Sequence, residues 1–61
     1  MKPYAIATNS EEGIDVCLDE EEGKFYLMRF PDGATSQYFN SAKEAEQTYH
    51  FGNVDWEGGA Q

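Results

Sequence analysis

The sequence predicts an α+β protein, a four-stranded antiparallel β-meander with one C-terminal α-helix packed on one face. Three observations lead there: three glycine-ended turns at a ten-residue period, alternating apolar residues between them, and a helix-capping pattern after residue 40. Together they describe a single ββββα domain over residues 1–57, followed by a flexible C-terminal tail at 58–61.

The turns come first. Glu11-Glu12-Gly13, Glu21-Glu22-Gly23 and Pro31-Asp32-Gly33 each end in glycine. A three-residue hairpin loop is typically a type I turn followed by a residue of positive φ, where glycine is least strained. Pro31 pre-sets φ for the third turn, which is therefore the strongest of the three signals.

Between the turns lie four extended segments, at 3–9, 14–20, 24–30 and 34–39. Three-residue loops would place Ile14, Val16 and Leu18 on one face with Phe30, Met28 and Tyr26. Across the third turn Tyr26 would oppose Tyr38 and Phe30 would oppose Ala34; across the first, Ile6 would meet Leu18 with Tyr4 on the same side. One register then gathers nine apolar residues on a single core face. A four-residue loop at 20–23 would instead pair Leu18 with Phe25 and exchange the faces.

After Phe39 the period changes. Ser41 with Glu44 three residues later is a capping-box pattern. Ala42, Ala45 and Tyr49 recur at helical spacing, Gly52 suits the position past a helix end, and His50 complements the dipole of the last turn. A helix over 42–51 is expected, packed by its alanine and tyrosine stripe on the apolar sheet face, with Val54 and Trp56 docking on the domain.

Sixty-one residues make one domain, burying about 60% of the surface its unfolded chain exposes. Composition of 39% hydrophobic and 15% aromatic residues argues for a packed core rather than disorder. One cysteine allows no internal disulfide framework and fits a reducing compartment. No apolar run reaches the roughly 20 residues of a membrane span, and no charged-then-apolar leader opens the chain. A soluble, cytoplasmic protein is expected. Twelve acids against four bases give a net charge of −8, a field that repels nucleic acid and anionic membranes and attracts basic proteins.

No catalytic constellation is present. His50 is most simply a helix-end residue, and Asp15 and Asp19 beside Cys17 would raise its thiol pKa rather than activate it. "DVCLDEEEG" lacks the alternating order of an EF-hand loop, and one His with one Cys cannot build a zinc site. Neither an enzyme, a metal nor a cofactor is expected. Four bases cannot form a nucleic-acid footprint.

The second sheet face offers more. In the three-residue register it carries Asp15, Cys17, Asp19, Phe25, Leu27, Arg29, Thr35, Gln37 and Phe39, with Arg29 opposite Asp15. Phe25, Leu27 and Phe39 would have no second helix over them: either the tail and Trp56 cover them in part, or they form an apolar patch rimmed by acids and suited to a partner or a second copy. Glu11, Glu12 and Asp32 would share one end of the meander, while Asp19, Glu20, Glu21 and Glu22 project from the other.

A very small, acidic, single-domain chain of this kind resembles the phage-encoded anti-CRISPR proteins, especially those directed at type I surveillance complexes. The resemblance lies in size, charge and lack of catalytic residues over the whole chain. It implies a double-stranded DNA mimic acting in a bacterial host cell, with Glu11, Glu12, Asp15, Asp19, Glu20, Glu21, Glu22 and Asp32 carrying the charge. "FYLMRFPDGATSQYFNSAKEAE" is also similar to small arm-type DNA-binding domains, whose three-stranded sheet enters a groove. Those need basic strands, and this sheet offers only Lys24 and Arg29.

The expected function is that of a non-enzymatic inhibitor, monomeric or weakly dimeric. It would block the basic DNA-binding cleft of a host defence complex. The alternative is an interaction or regulatory module binding through Phe25, Leu27 and Phe39, with acidity serving solubility.

Overall fold

Asp19 decides how the central hairpin closes. Its side-chain Oδ1 accepts hydrogen bonds from the backbone N–H groups of Glu21 and Glu22, at 3.1 and 3.3 Å. Its carbonyl accepts from Gly23 N–H at 2.8 Å. An aspartate that bonds its own following backbone stabilises a turn locally. Gly23, at φ 65°, supplies the left-handed residue before the chain returns. The loop therefore has four residues, 20–23, and Asp19 pairs directly with Lys24.

The computed structural model describes residues 4–8 by their backbone and residues 13–59 in full. The strands are β1 (Tyr4–Thr8), β2 (Gly13–Asp19) and β3 (Lys24–Phe30), and the helix is α1 (Ala42–Phe51). The sheet is antiparallel in the order β1-β2-β3. Tyr4 pairs with Val16 and Thr8 with Gly13, with a slip between Ala5 and Ala7. Ile6 therefore does not meet Leu18, and Gly13 opens a strand instead of completing a turn. No helix among the described residues is long and apolar enough to cross a membrane.

Two expectations are corrected. The meander has three strands, not four. Residues 34–39 run beside β3 and touch it through isolated bridges, Phe39 with Phe25 and Thr35 with Met28. These bridges are out of register by one residue, and between them the Ser36 hydroxyl accepts the Leu27 N–H at 2.7 Å. A side chain thus takes a place in the ladder that a fourth strand would have filled with a carbonyl. On its other side Thr35 bridges Glu57.

The second correction is the register. Ile14 opposes Arg29, Val16 opposes Leu27, and Leu18 opposes Phe25. A one-residue slip sends every side chain of a strand to the other face. β2 keeps Ile14 and Val16 in the core as expected, but β3 is inverted against it. Leu27 is fully buried, Phe39 is buried, and Phe25 packs against them. None of the three forms the open apolar patch that the other register requires. Conversely, Phe30 is 42% and Tyr38 53% exposed. Arg29 pairs not with Asp15 but with Asp32, at 2.5 Å, its guanidinium 5.0 Å over the Trp56 ring.

Helix α1 spans the expected residues because its ends are locally encoded. The Ser41 hydroxyl accepts from Glu44 N–H at 3.1 Å, and Gly52 closes the helix at φ 74° with its N–H toward Thr48 and Tyr49 carbonyls. Ala45 is fully buried and joins Ile14, Val16, Leu27 and Phe39 in the core. Ala42, Tyr49, Val54 and Trp56 pack around that cluster. Gly59 lies so close to Ala34 and Asp32 that a Cβ there would come within 3.1 Å of the Ala34 methyl.

Candidate functional site

With the helix on one side, the other side of the β2–β3 hairpin carries Asp15, Cys17 and Asp19 beside Lys24, Tyr26, Met28 and Phe30. The acids of β2 thus lie where expected, but their neighbours on β3 are a different set. Tyr26 and Met28 are half-buried and Phe30 is exposed. Tyr38 joins them from the irregular segment, its ring edge-on to Tyr26 at 6.2 Å and 78°.

Tyr38 and Asp19 fix one another. The phenol donates to Asp19 Oδ2 at 2.5 Å. This bond, reinforced by the Glu22 N–H, holds the Asp19 carboxyl below the usual carboxylate range. The same carboxylate pushes the Tyr38 phenol up to about 12, since it stabilises the protonated donor. Cys17 sits opposite Tyr26 on the neighbouring strand. Burial first, and Asp15 second, push its thiol pKa up, so it is no activated nucleophile.

Beside this pair opens a cleft of about 260 Å³, lined by Asp19, Tyr26, Thr35, Ser36 and Tyr38. The Ser36 hydroxyl accepts from Leu27 N–H and donates to the Gln37 carbonyl at 2.8 Å. None of the five lining residues is basic. Lys24, the basic residue on this face, reaches Asn40 Oδ1 with its ammonium at 2.6 Å.

The expected charge-bearing residues divide three ways. Asp15, Asp19, Glu20, Glu21 and Glu22 gather on this face and at its hairpin end, with Glu20 to Glu22 exposed in the loop. Asp32 lies beyond the opposite end of β3 and is drawn below its ordinary pKa by Arg29. Glu11 and Glu12 lie outside the described residues. Among the described residues no three of His, Cys, Asp and Glu converge as a group that could hold a metal.

Tyr26, Tyr38, Thr35 and Ser36 were not recognisable as site residues in the three-residue register, which assigns both tyrosines to the core. The available signal was Asp19 itself, since aspartate at the first position of a turn competes for the following N–H groups. No protein-family model matches the chain, and neither a curated protein nor a solved structure matches it significantly.

Proposed function

We propose that this protein is a non-enzymatic acidic inhibitor that occupies a basic, DNA-binding cleft of a host defence complex as a mimic of double-stranded DNA. A type I CRISPR surveillance complex is the target that its resemblance suggests. One observation carries the reading: Asp15, Asp19, Glu20, Glu21 and Glu22 lie along the face of the β2–β3 hairpin turned away from the helix, and at its end. Asp15 and Asp19 are four residues apart on one strand, roughly 13 Å at about 3.3 Å per residue. Duplex DNA likewise presents spaced negative charge on a stiff support. Charge of this density accelerates encounter with a basic surface, while adjacent aromatic groups slow release.

The test is displacement of labelled duplex DNA from a purified type I surveillance complex. Displacement should weaken steeply between about 50 and about 200 mM salt, as phosphate-like contacts do. Reversing Glu20, Glu21 and Glu22 to lysine should abolish it. Displacement indifferent to both salt and charge reversal would remove the mimic reading.

A second reading has its own support. Phe30 and Tyr38, with Tyr26 and Met28 beside them, form an exposed aromatic strip, as expected of an ordinary interaction module. In that case Phe30→Ser, rather than charge reversal, would destroy partner binding.

A further inference from the structure

The cleft between Asp19 and Tyr38 has a specific hydrogen-bonding character. Two of its four hydroxyl protons are committed within the protein: that of Tyr38 to Asp19 Oδ2, that of Ser36 to the Gln37 carbonyl. Each of these two oxygens can still accept a hydrogen bond. Asp19 receives three hydrogen bonds, and an ionised carboxylate can take about four. Two tyrosine rings set at 78° supply π faces. Acceptors and aromatic faces without a basic residue suit an occupant that is cationic, planar and rich in donors.

We propose that this cleft is a receptor for a single arginine side chain presented by the protein's basic partner. A guanidinium has five N–H donors in one plane, stacks on tyrosine and pairs with a carboxylate through its edge. An ammonium group matches this geometry less well. The volume, about 260 Å³, falls below the roughly 300 Å³ at which pockets for drug-sized ligands begin. A single side chain fits such a space. A protein-borne arginine is favoured over a free guanidinium compound because Glu20, Glu21 and Glu22 stand exposed beside the cleft and attract the basic residues around it. The inference deepens the proposed function and rests on it for the nature of the partner.

The test is a titration of the ¹⁵N-labelled full chain with N-acetyl-arginine amide, followed through the amide shifts of Ser36 and Tyr38. N-acetyl-citrulline amide, of nearly the same shape but neutral, and N-acetyl-lysine amide serve as comparisons. Saturable shifts at Ser36 and Tyr38 are expected for the arginine compound. Binding should be about tenfold weaker for lysine and weaker still for citrulline, a tenfold step being about 1.4 kcal/mol. Tyr38→Phe keeps the ring but removes the oxygen, and should lower arginine affinity by a similar factor. Equal binding of citrulline, or shifts confined to Glu20, Glu21 and Glu22, would overturn the receptor. The two proposals fail separately. Saturation by arginine amide without salt-dependent DNA displacement removes the mimic reading and leaves the cleft. Salt-dependent displacement without arginine-amide binding does the reverse.

Discussion

The Tyr38 hydroxyl donates to Asp19 Oδ2 across nineteen residues of chain, tying the irregular segment beside β3 to the last residue of β2. The bond has opposite consequences at the two ends of the pH scale. The Asp19 carboxyl is held below its ordinary 3.8. Its contribution to stability is therefore present above that value and lost as pH falls through the lower, folded one. The Tyr38 phenol is raised from 10.0 to about 12. Its contribution is complete below 10.0 and is lost as pH rises toward 12. Cys17 and Tyr26, both raised mainly by burial, add to the alkaline loss, which Cys17 begins above its ordinary 9.0. Urea midpoints measured against pH should show a plateau with falling shoulders. Tyr38→Phe should make both shoulders shallower, and profiles that superimpose on the wild type would show the bond contributes nothing.

The inverted register sets Leu27 against Phe30. Leu27 is fully buried, whereas Phe30 is 42% exposed. Leu27→Ala should destabilise by about 2–5 kcal/mol, as deletions in packed cores do. For a chain of this size total stability is on the order of 3–9 kcal/mol, so much of the variant should be unfolded at room temperature. Phe30→Ser should lose about 1 kcal/mol or less. Chemical denaturation of both variants checks this, and the reverse ranking would restore the three-residue loop.

At the helix start, Ser41→Ala should cost about 1 kcal/mol by leaving the Glu44 N–H without its cap, while Ser41→Asp should recover most of the loss. Helical circular dichroism during thermal melting reports both.

Trp56 is the single tryptophan, and the Arg29 guanidinium lies over it while holding Asp32 with two nitrogens. Arg29→Ala should shift Trp56 emission to longer wavelength and open it to acrylamide quenching. Arg29→Lys should fall between, since lysine keeps the charge but lacks the planar fork. Unchanged quenching in Arg29→Ala would mean that the stacking does not shield the indole.

Legibility in the sequence followed how local each instruction is. Helix α1 could be read to its ends because Ser41, Glu44 and Gly52 act within a few residues of one another. The hairpin turn at Gly23 could be located, and its positive φ anticipated, but not its length. That depended on whether Asp19 turned its carboxylate onto Glu21 and Glu22 or left them to water. This single choice moved Leu27 and Phe39 into the core and brought Tyr26 and Tyr38 out to the acids. The loss of the fourth strand was harder still to foresee. Residues 34–39 alternate as a strand should, but the Ser36 hydroxyl on Leu27 N–H and the one-residue slip between the two bridges interrupt the pairing. Asp15 and Asp19 lie on the side away from the core, as read from the sequence, because they belong to β2, which kept its orientation.

The segment beside β3 has a bearing on how copies of this molecule could join. It covers the outer side of β3 with Thr35, Phe39 and the Ser36 hydroxyl, so a neighbouring main chain finds no continuous row of groups there. Main-chain addition at the outer side of β3 is therefore hindered by the very stretch that failed to become a strand.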